Sequence, residues 1–202
     1  PAIKDKPIVV GVYSGRTEES GAVSTSNYIA RKYGVKSGMP LFLAKRKLEG
    51  TDAVFFKVDH EYYDQISDRI MQIFRGYATN FEQVSVDEAY LDVTEQVEGS
   101  FEKTRAYSQK IKSDVKNQVG ISFSVGVGPN KIVAKIACDS QKPDGLTIVK
   151  PIEAKFFLES LDVDRLLGVG KKTFLKMTEL GIKTVGDLAK FDCQRLIEVF
   201  GK

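Results

Sequence analysis

The sequence predicts an α+β fold, and three observations carry that prediction. Short β-branched runs alternate with amphipathic helical patterns from residue 8 to about 150. The segment after Pro151 shows helical patterns only. Two strand-like runs close on each other across a single acidic pair, Asp87-Glu88, which is a hairpin signature.

Ile8–Tyr13 is apolar and β-branched, as a buried strand requires. A Gly/Ser/Thr/Glu loop spans 14–21, and Thr25 to Asn27 offer capping side chains before a short helix over 28–33. Gly34 stops that helix; Ser37-Gly38-Met39-Pro40 is a turn, with Pro40 suited to the first turn of a helix running to about Lys47. Residues 53–58 read as a strand, and Tyr62, Ile66, Ile70, Ile73 and Phe74 recur at helical spacing over 61–77. Strands follow over 81–86 and 89–93, then a helix over 101–118 and a strand over 121–127. Pro129 is expected to open a helix through about Asp139. Pro143-Asp144-Gly145 marks a turn before a short strand at 146–149. This order describes a split βαβ, ferredoxin-like layer that lacks one strand at its start. Beyond Pro151, Gly168, Gly170, Gly181, Gly186 and Gly201 punctuate a small helical lobe.

Composition narrows the function classes. With 42% hydrophobic and 28% charged residues the chain suits a soluble globular protein. Its longest apolar runs are too short for a membrane span, and the first residues have no apolar core of a signal peptide. Cys138 and Cys193 stand far apart, without a CxxC, which fits a reducing cytoplasm. With His60 the single histidine, a zinc site is disfavoured, and a metal here is expected to be a hard cation on carboxylates. Net charge is only +3, but it is unevenly spread. Residues 1–50 carry nine Lys/Arg against four Asp/Glu, 51–100 three against eleven, 101–150 nine against four, and 151–202 nine against eight. An acidic centre between basic flanks suits a metal-dependent enzyme acting on a polyanion, although solvated helix surfaces give similar counts.

The candidate site is Gln83-Val84-Ser85-Val86-Asp87-Glu88-Ala89-Tyr90-Leu91-Asp92. Strand alternation puts Val84 and Val86 towards the core and Ser85 and Asp87 on the other face. At the turn the alternation can break, so that Asp87 and Glu88 point to one site. Nucleotidyl transfer needs two divalent cations held by few rigid carboxylates, and a solvated acidic turn is the alternative.

Ser85-Val86-Asp87-Glu88-Ala89-Tyr90-Leu91-Asp92 closely resembles the Ser-x-Asp-Glu-x-x-Leu-Asp motif of Y-family DNA polymerases. The resemblance runs along nearly the whole chain. Ser14-Gly15-Arg16 with Gly21-Ala22-Val23-Ser24-Thr25-Ser26-Asn27-Tyr28-Ile29-Ala30-Arg31-Lys32 is similar to the fingers of archaeal DinB-like enzymes. Val125-Gly126-Val127-Gly128-Pro129-Asn130-Lys131 and Lys142-Pro143-Asp144-Gly145 resemble the palm. Leu167-Gly168-Val169-Gly170 with Leu180-Gly181-Ile182 resembles the helix–hairpin–helix of the thumb.

The resemblance implies a right-hand polymerase core: α/β fingers at 1–58, a ferredoxin-like palm at 59–150 and a helical thumb at 151–202. It implies lesion-bypass DNA synthesis, with two Mg²⁺ ions, or Mn²⁺ in their place, on the catalytic carboxylates Asp87 and Glu88. Thr25, Tyr28, Arg31 and Lys142 are then expected to hold the nucleotide, and Gly168, Gly170 and Lys171 the DNA. Lys135 is a weaker candidate, because a solvated helix lysine explains it equally well. The implied partners are primer–template DNA, a deoxynucleoside triphosphate and, through a further C-terminal region, a sliding clamp. Family members begin with a strand of roughly twenty residues including its following helix, bearing another metal-binding aspartate, which nothing in this chain matches. A chain without it is expected to be impaired. Two other functions compete: a nucleotidyl cyclase, disfavoured because Ser85-Val86 stands where a Gly-Gly pair is needed, and a non-catalytic helix–hairpin–helix DNA-binding module.

Overall fold

The computed structural model describes residues 3–15 and 20–201, so Arg16 of the fingers-like motif lies outside the described residues. The chain forms two compact units, residues 1–65 and 66–202.

The first unit is built on a three-stranded sheet, β1 (Ile8–Tyr13), β2 (Gly21–Ser26) and β3 (Val54–Lys57), in the order β2-β1-β3. β1 pairs antiparallel with β2 and parallel with β3. The parallel pairing needs a crossover, and α1 (Tyr28–Lys32) and α2 (Leu41–Lys47) lie within it. Strand β2 is a correction to the sequence reading, which left Gly21–Ser26 without an element. Its residues are small or hydroxylic, with Val23 the one bulky aliphatic, so the strand is held by its backbone ladder rather than announced by an apolar pattern. Leu41 and Ala44 of α2 join Val9, Val23, Ala30, Val35 and Leu48 in a closed core. Pro40 is the N-cap of α2 rather than its first helical residue.

Helix α3 (His60–Arg75) begins in the first unit and ends in the second. In the second unit β4 (Asn80–Gln83) and β5 (Ala89–Asp92) form an antiparallel hairpin. Met71 and Phe74 of α3, with Ile111 and Val115 of α4 (Phe101–Val119), bury against Phe81, Ala89 and Leu91 of that hairpin. Helix α4 presents Thr104, Ser108, Ile111 and Val115 inward, a four-three-four spacing that keeps one face buried. β6 (Val125–Val127) pairs parallel with β7 (Leu146–Ile148), and α5 (Lys131–Ser140) connects them.

Three expectations are corrected here. Strand β4 stops at Gln83, not Val86, so Val84 and Val86 sit in the turn and are 52% and 53% exposed rather than facing the core. Strand β6 is shorter than 121–127: it begins at Val125, and upstream Phe123 packs edge-on to Phe74 at 5.3 Å while its carbonyl accepts from the Lys112 ammonium. The ferredoxin-like single layer is not formed among the described residues: β4-β5 and β6-β7 are separate two-stranded sheets.

Helix α5 begins at Lys131, after Pro129, because the Asn130 side chain accepts the Val133 N–H at 3.0 Å and caps it. Of its apolar residues, Val133 and Ile136 are buried, while Ile132 is 59% exposed. Three glycines let this helix lie against backbone. A Cβ on Gly126 would meet the Ala134 carbonyl oxygen at 2.0 Å, one on Gly128 the Ala134 nitrogen at 2.8 Å, and one on Gly145 the Gln141 carbonyl oxygen at 2.0 Å.

The remaining helices are α6 (Pro151–Glu159), α7 (Lys171–Glu179), α8 (Val185–Lys190) and α9 (Cys193–Phe200), with a 3₁₀ turn at Val163–Arg165. Val163, Met177 and Ile182 form the buried centre of α7 to α9, while Ala154, Phe157 and Leu158 of α6 pack on Val133 and Ala137 of α5 and on Val149. Gly186 lies inside α8, not between helices; there the helix crosses Glu159 so closely that a Cβ would come within 2.9 Å of its carbonyl oxygen. Among the described residues no helix is long and apolar enough to cross a membrane.

Candidate active site

The turn between β4 and β5 is fixed by its own hydrogen bonds. Val84 N–H and Ser85 N–H both donate to the Glu88 carbonyl, at 2.9 and 3.2 Å. Ser85 Oγ donates to Asp87 Oδ1 at 2.7 Å and accepts from Asp87 N–H at 3.2 Å. This reciprocal pair holds the Asp87 carboxylate over the turn and gives the serine of the motif a structural task.

Glu88 is held differently. Its carboxylate pairs with Lys135 of α5, and four residues earlier on the same helix face Lys131 pairs with Glu82 of β4 and lies over the Tyr90 ring of β5 at 5.5 Å. Helix α5 is thus docked on the hairpin at two points one turn apart. Lys135 is also 3.7 Å from Asp139 Oδ2, and Asp139 Oδ1 pairs with Lys142 Nζ at 2.6 Å. The result is an alternating line of charges, Glu88, Lys135, Asp139 and Lys142. Burial opposes the charge on Lys135, but the Glu88 bond and the Asp139 and Glu88 carboxylates outweigh it and hold the ammonium above the ordinary lysine range. Lys142 is also raised, first by its bond to Asp139. Cys138, beside this line, donates its thiol to the Ser124 carbonyl at 3.3 Å, and burial pushes its pKa up.

In the first unit, Tyr28 and Arg31, three residues apart, share one face of α1: the guanidinium lies 5.0 Å from the phenol ring centre, and Arg31 Nε donates to the Ser26 carbonyl at 3.0 Å. Thr25 does not cap the helix. It lies in β2, and the cap is Asn27, whose Oδ1 accepts from Ala30 N–H and Ile8 N–H, both at 3.0 Å, while its Nδ2 donates to the Lys6 carbonyl at 2.8 Å. Asn27 wins because it satisfies the helix end and the edge of β1 at once. Gly168, Gly170 and Lys171 are exposed at the start of α7; Gly168 adopts φ +91°, and Gly170 is the N-cap.

A family model described as impB/mucB/samB matches residues 1–139. DNA polymerase IV of Nitrosopumilus maritimus is 47% identical over 203 residues, a match that takes in all of this chain and 56% of that protein. DNA polymerase IV of Metallosphaera sedula is 46% identical over 202 residues, with 57% of its length covered. The chain belongs to the impB/mucB/samB family. Among solved structures, Dbh DNA polymerase in an insertion ternary complex superposes with a TM-score of 0.94 at 43% identity, over 100% of this chain and 58% of that one. DinB from Sulfolobus solfataricus gives 0.93 at 42% identity, again over 58% of its chain. The impB/mucB/samB chain described here is therefore a Y-family, DinB-like core segment of mixed α+β fold, spanning a little over half the length of the relatives it matches.

Membership of a polymerase family implies divalent metals. The donors on the hairpin fit one in kind, since Asp87 and Glu88 offer only carboxylate oxygens, which suit a hard cation. They are few: no group of three or more potential metal ligands occurs among the described residues. Two side chains that the sequence reading passed over are Asp139 and Glu82. The first had a signal, since it stands four residues after Lys135 and three before Lys142; the second had none, because its partner is 49 residues away.

Proposed function

We propose that this chain is the catalytic segment of a template-directed, lesion-bypass DNA polymerase, with residues 1–58 as fingers, 59–150 as palm and 151–202 as thumb. The observation that carries the reading is the docked acidic hairpin, in which Asp87 is steadied by Ser85 and Glu88 by Lys135 within a chain of this family. Asp87 and Glu88 would hold Mg²⁺, with Mn²⁺ as a substitute. A divalent cation bound there supplies charge neutralisation for the attacking 3′-oxygen and the departing pyrophosphate. Tyr28, Arg31 and Lys142 bind the triphosphate of the incoming deoxynucleotide; the guanidinium and the ammonium supply its counter-charge. Thr25 contributes a hydroxyl from β2 rather than from a helix cap. The backbone at Gly168 and Gly170, with Lys171, grips a phosphate of primer–template DNA without reading sequence. Cytoplasmic action and a sliding-clamp contact belong to the same reading of the longer protein.

The test is primer extension with Mg²⁺ by the full-length protein that contains this segment, compared with its Glu88→Ala variant. Extension is expected to fall by at least about a hundredfold. Equal extension by the two proteins refutes the reading.

A further inference from the structure

We infer that Asp139 is a positioning residue that couples occupancy of Glu88 by a divalent cation to the release of Lys142. The inference rests on the roles proposed above for Glu88 and Lys142.

Lys135 has two carboxylates in reach: Glu88, which it holds, and Asp139 Oδ2 at 3.7 Å, which it does not yet hold closely. Asp139 likewise faces two ammonium groups, with Oδ1 bonded to Lys142 at 2.6 Å. One carboxylate is thus shared unequally between two lysines, and one lysine between two carboxylates. Lys135 is the more enclosed of the two lysines, its side chain 21% exposed against 43% for Lys142. An enclosed ammonium that loses one carboxylate has more to gain from the next than an exposed one, which water solvates. When Glu88 turns to a divalent cation, Lys135 is left with Asp139 and closes on it. Asp139 then holds Lys142 less firmly, and the Lys142 ammonium becomes available to a triphosphate. All four groups lie between residues 88 and 142, on the hairpin, on α5 and just after it. Without cation, the same line of charges keeps Lys142 paired, which disfavours nucleotide binding before the carboxylates are loaded.

The test reads Lys142 directly, with no turnover. The full-length protein that contains this segment is trace-labelled with an amine-reactive anhydride, with and without saturating Mn²⁺ and with no nucleotide, and the labelling rate at Lys142 is read by peptide mass spectrometry. Lys155, whose side chain is 86% exposed, normalises reagent delivery. Mn²⁺ binding is followed in parallel by the electron paramagnetic resonance of the free ion. Mn²⁺ is expected to raise Lys142 labelling about threefold in the wild type, the scale of one partly exposed ion pair. Asp139→Asn is expected to label fast with or without Mn²⁺, and Asp139→Glu to restore the Mn²⁺ response. Glu88→Gln is expected to label fast without Mn²⁺, since its Lys135 already turns to Asp139. If Mn²⁺ binds, and binds more weakly in Glu88→Gln, yet Lys142 labelling in the wild type does not move, the coupling is overturned and the site assignment stands. If Glu88→Gln leaves Mn²⁺ binding unchanged, the assignment of Glu88 fails and the coupling fails with it.

Discussion

Replacing Gly126 by Ala tests whether helix α5 is positioned by its contact with strand β6. A Cβ at this position would lie 2.0 Å from the Ala134 carbonyl oxygen, 2.2 Å from the Cys138 nitrogen and 2.8 Å from the Cys138 Cα. Ordinary contact begins at about 3.4 Å, so the helix must back away by more than an ångström. All three atoms are backbone, so no rotamer change can make room. Overpacking a core by a methyl group costs about 1–3 kcal/mol where side chains can yield; here the upper end, about 3 kcal/mol, is expected. The displacement also lifts Lys131 and Lys135 from Glu82 and Glu88, because both lysines reach the hairpin from this helix. The assay is urea unfolding of the 202-residue chain, followed by circular dichroism, with Gly170→Ala as the control. Gly170 has open space around its Cβ position and an ordinary backbone conformation. A Gly126→Ala variant within about 0.5 kcal/mol of wild type would show that α5 is not seated on β6 as described.

Three further outcomes are expected. Gly170→Ala should leave stability within about 0.5 kcal/mol of wild type while weakening binding to a short primer–template duplex in a fluorescence-anisotropy titration; unchanged affinity would remove Gly170 from the proposed DNA contact. Ser67 Oγ is buried with no hydrogen-bond partner among the described residues, so Ser67→Ala should stabilise the chain by about 1 kcal/mol in urea unfolding, and a loss of that size would mean that the hydroxyl has a partner. Burial and then the bonded Asp114 carboxylate raise the Tyr77 pKa from 10.0 to about 12. The stabilisation from its neutral phenol is therefore complete below pH 10 and lost as pH rises towards 12. Tyr77→Phe should cost about 1 kcal/mol at pH 8, allowing for solvent screening, and a gap to wild type that stays constant from pH 8 to 11.5 would refute the shift.

The parts of the fold legible in the sequence are those whose side chains follow a period. Helix α4 declared itself through its repeating inward face, and β1 through its β-branched run. What escaped was held by groups that carry no period. Strand β2 is built of glycine, alanine and hydroxyl residues around a single valine, and its register is set by backbone pairing to β1. The cap of α1 went to Asn27 over Thr25 because of a bond to Ile8, 19 residues away. In the candidate site, the acidic pair and the two lysines of α5 were visible as residue types, but their pairing was not: Lys131 meets Glu82 across 49 residues and Lys135 meets Glu88 across 47.

The exposure of Val84 and Val86 bears on what the hairpin is for. An alternating strand carried through to residue 86 would have given the turn an apolar anchor on one face, and Asp87 and Glu88 would then have stood at the end of a rigid ladder. Instead the ladder ends at Gln83, and the two valines face outward. The turn is held by polar contacts alone: the Glu88 carbonyl accepting two N–H groups, Ser85 closing on Asp87, and Lys135 reaching in from α5. Each of these depends on charge or on a hydrogen bond, so the carboxylates are oriented by groups that respond to whatever binds them. An apolar anchor would fix the turn whatever its ligands; a polar one lets the arrival of a cation be felt at α5. That difference is why the lysines of α5, and Asp139 behind them, belong to the description of the site as much as the acidic pair itself.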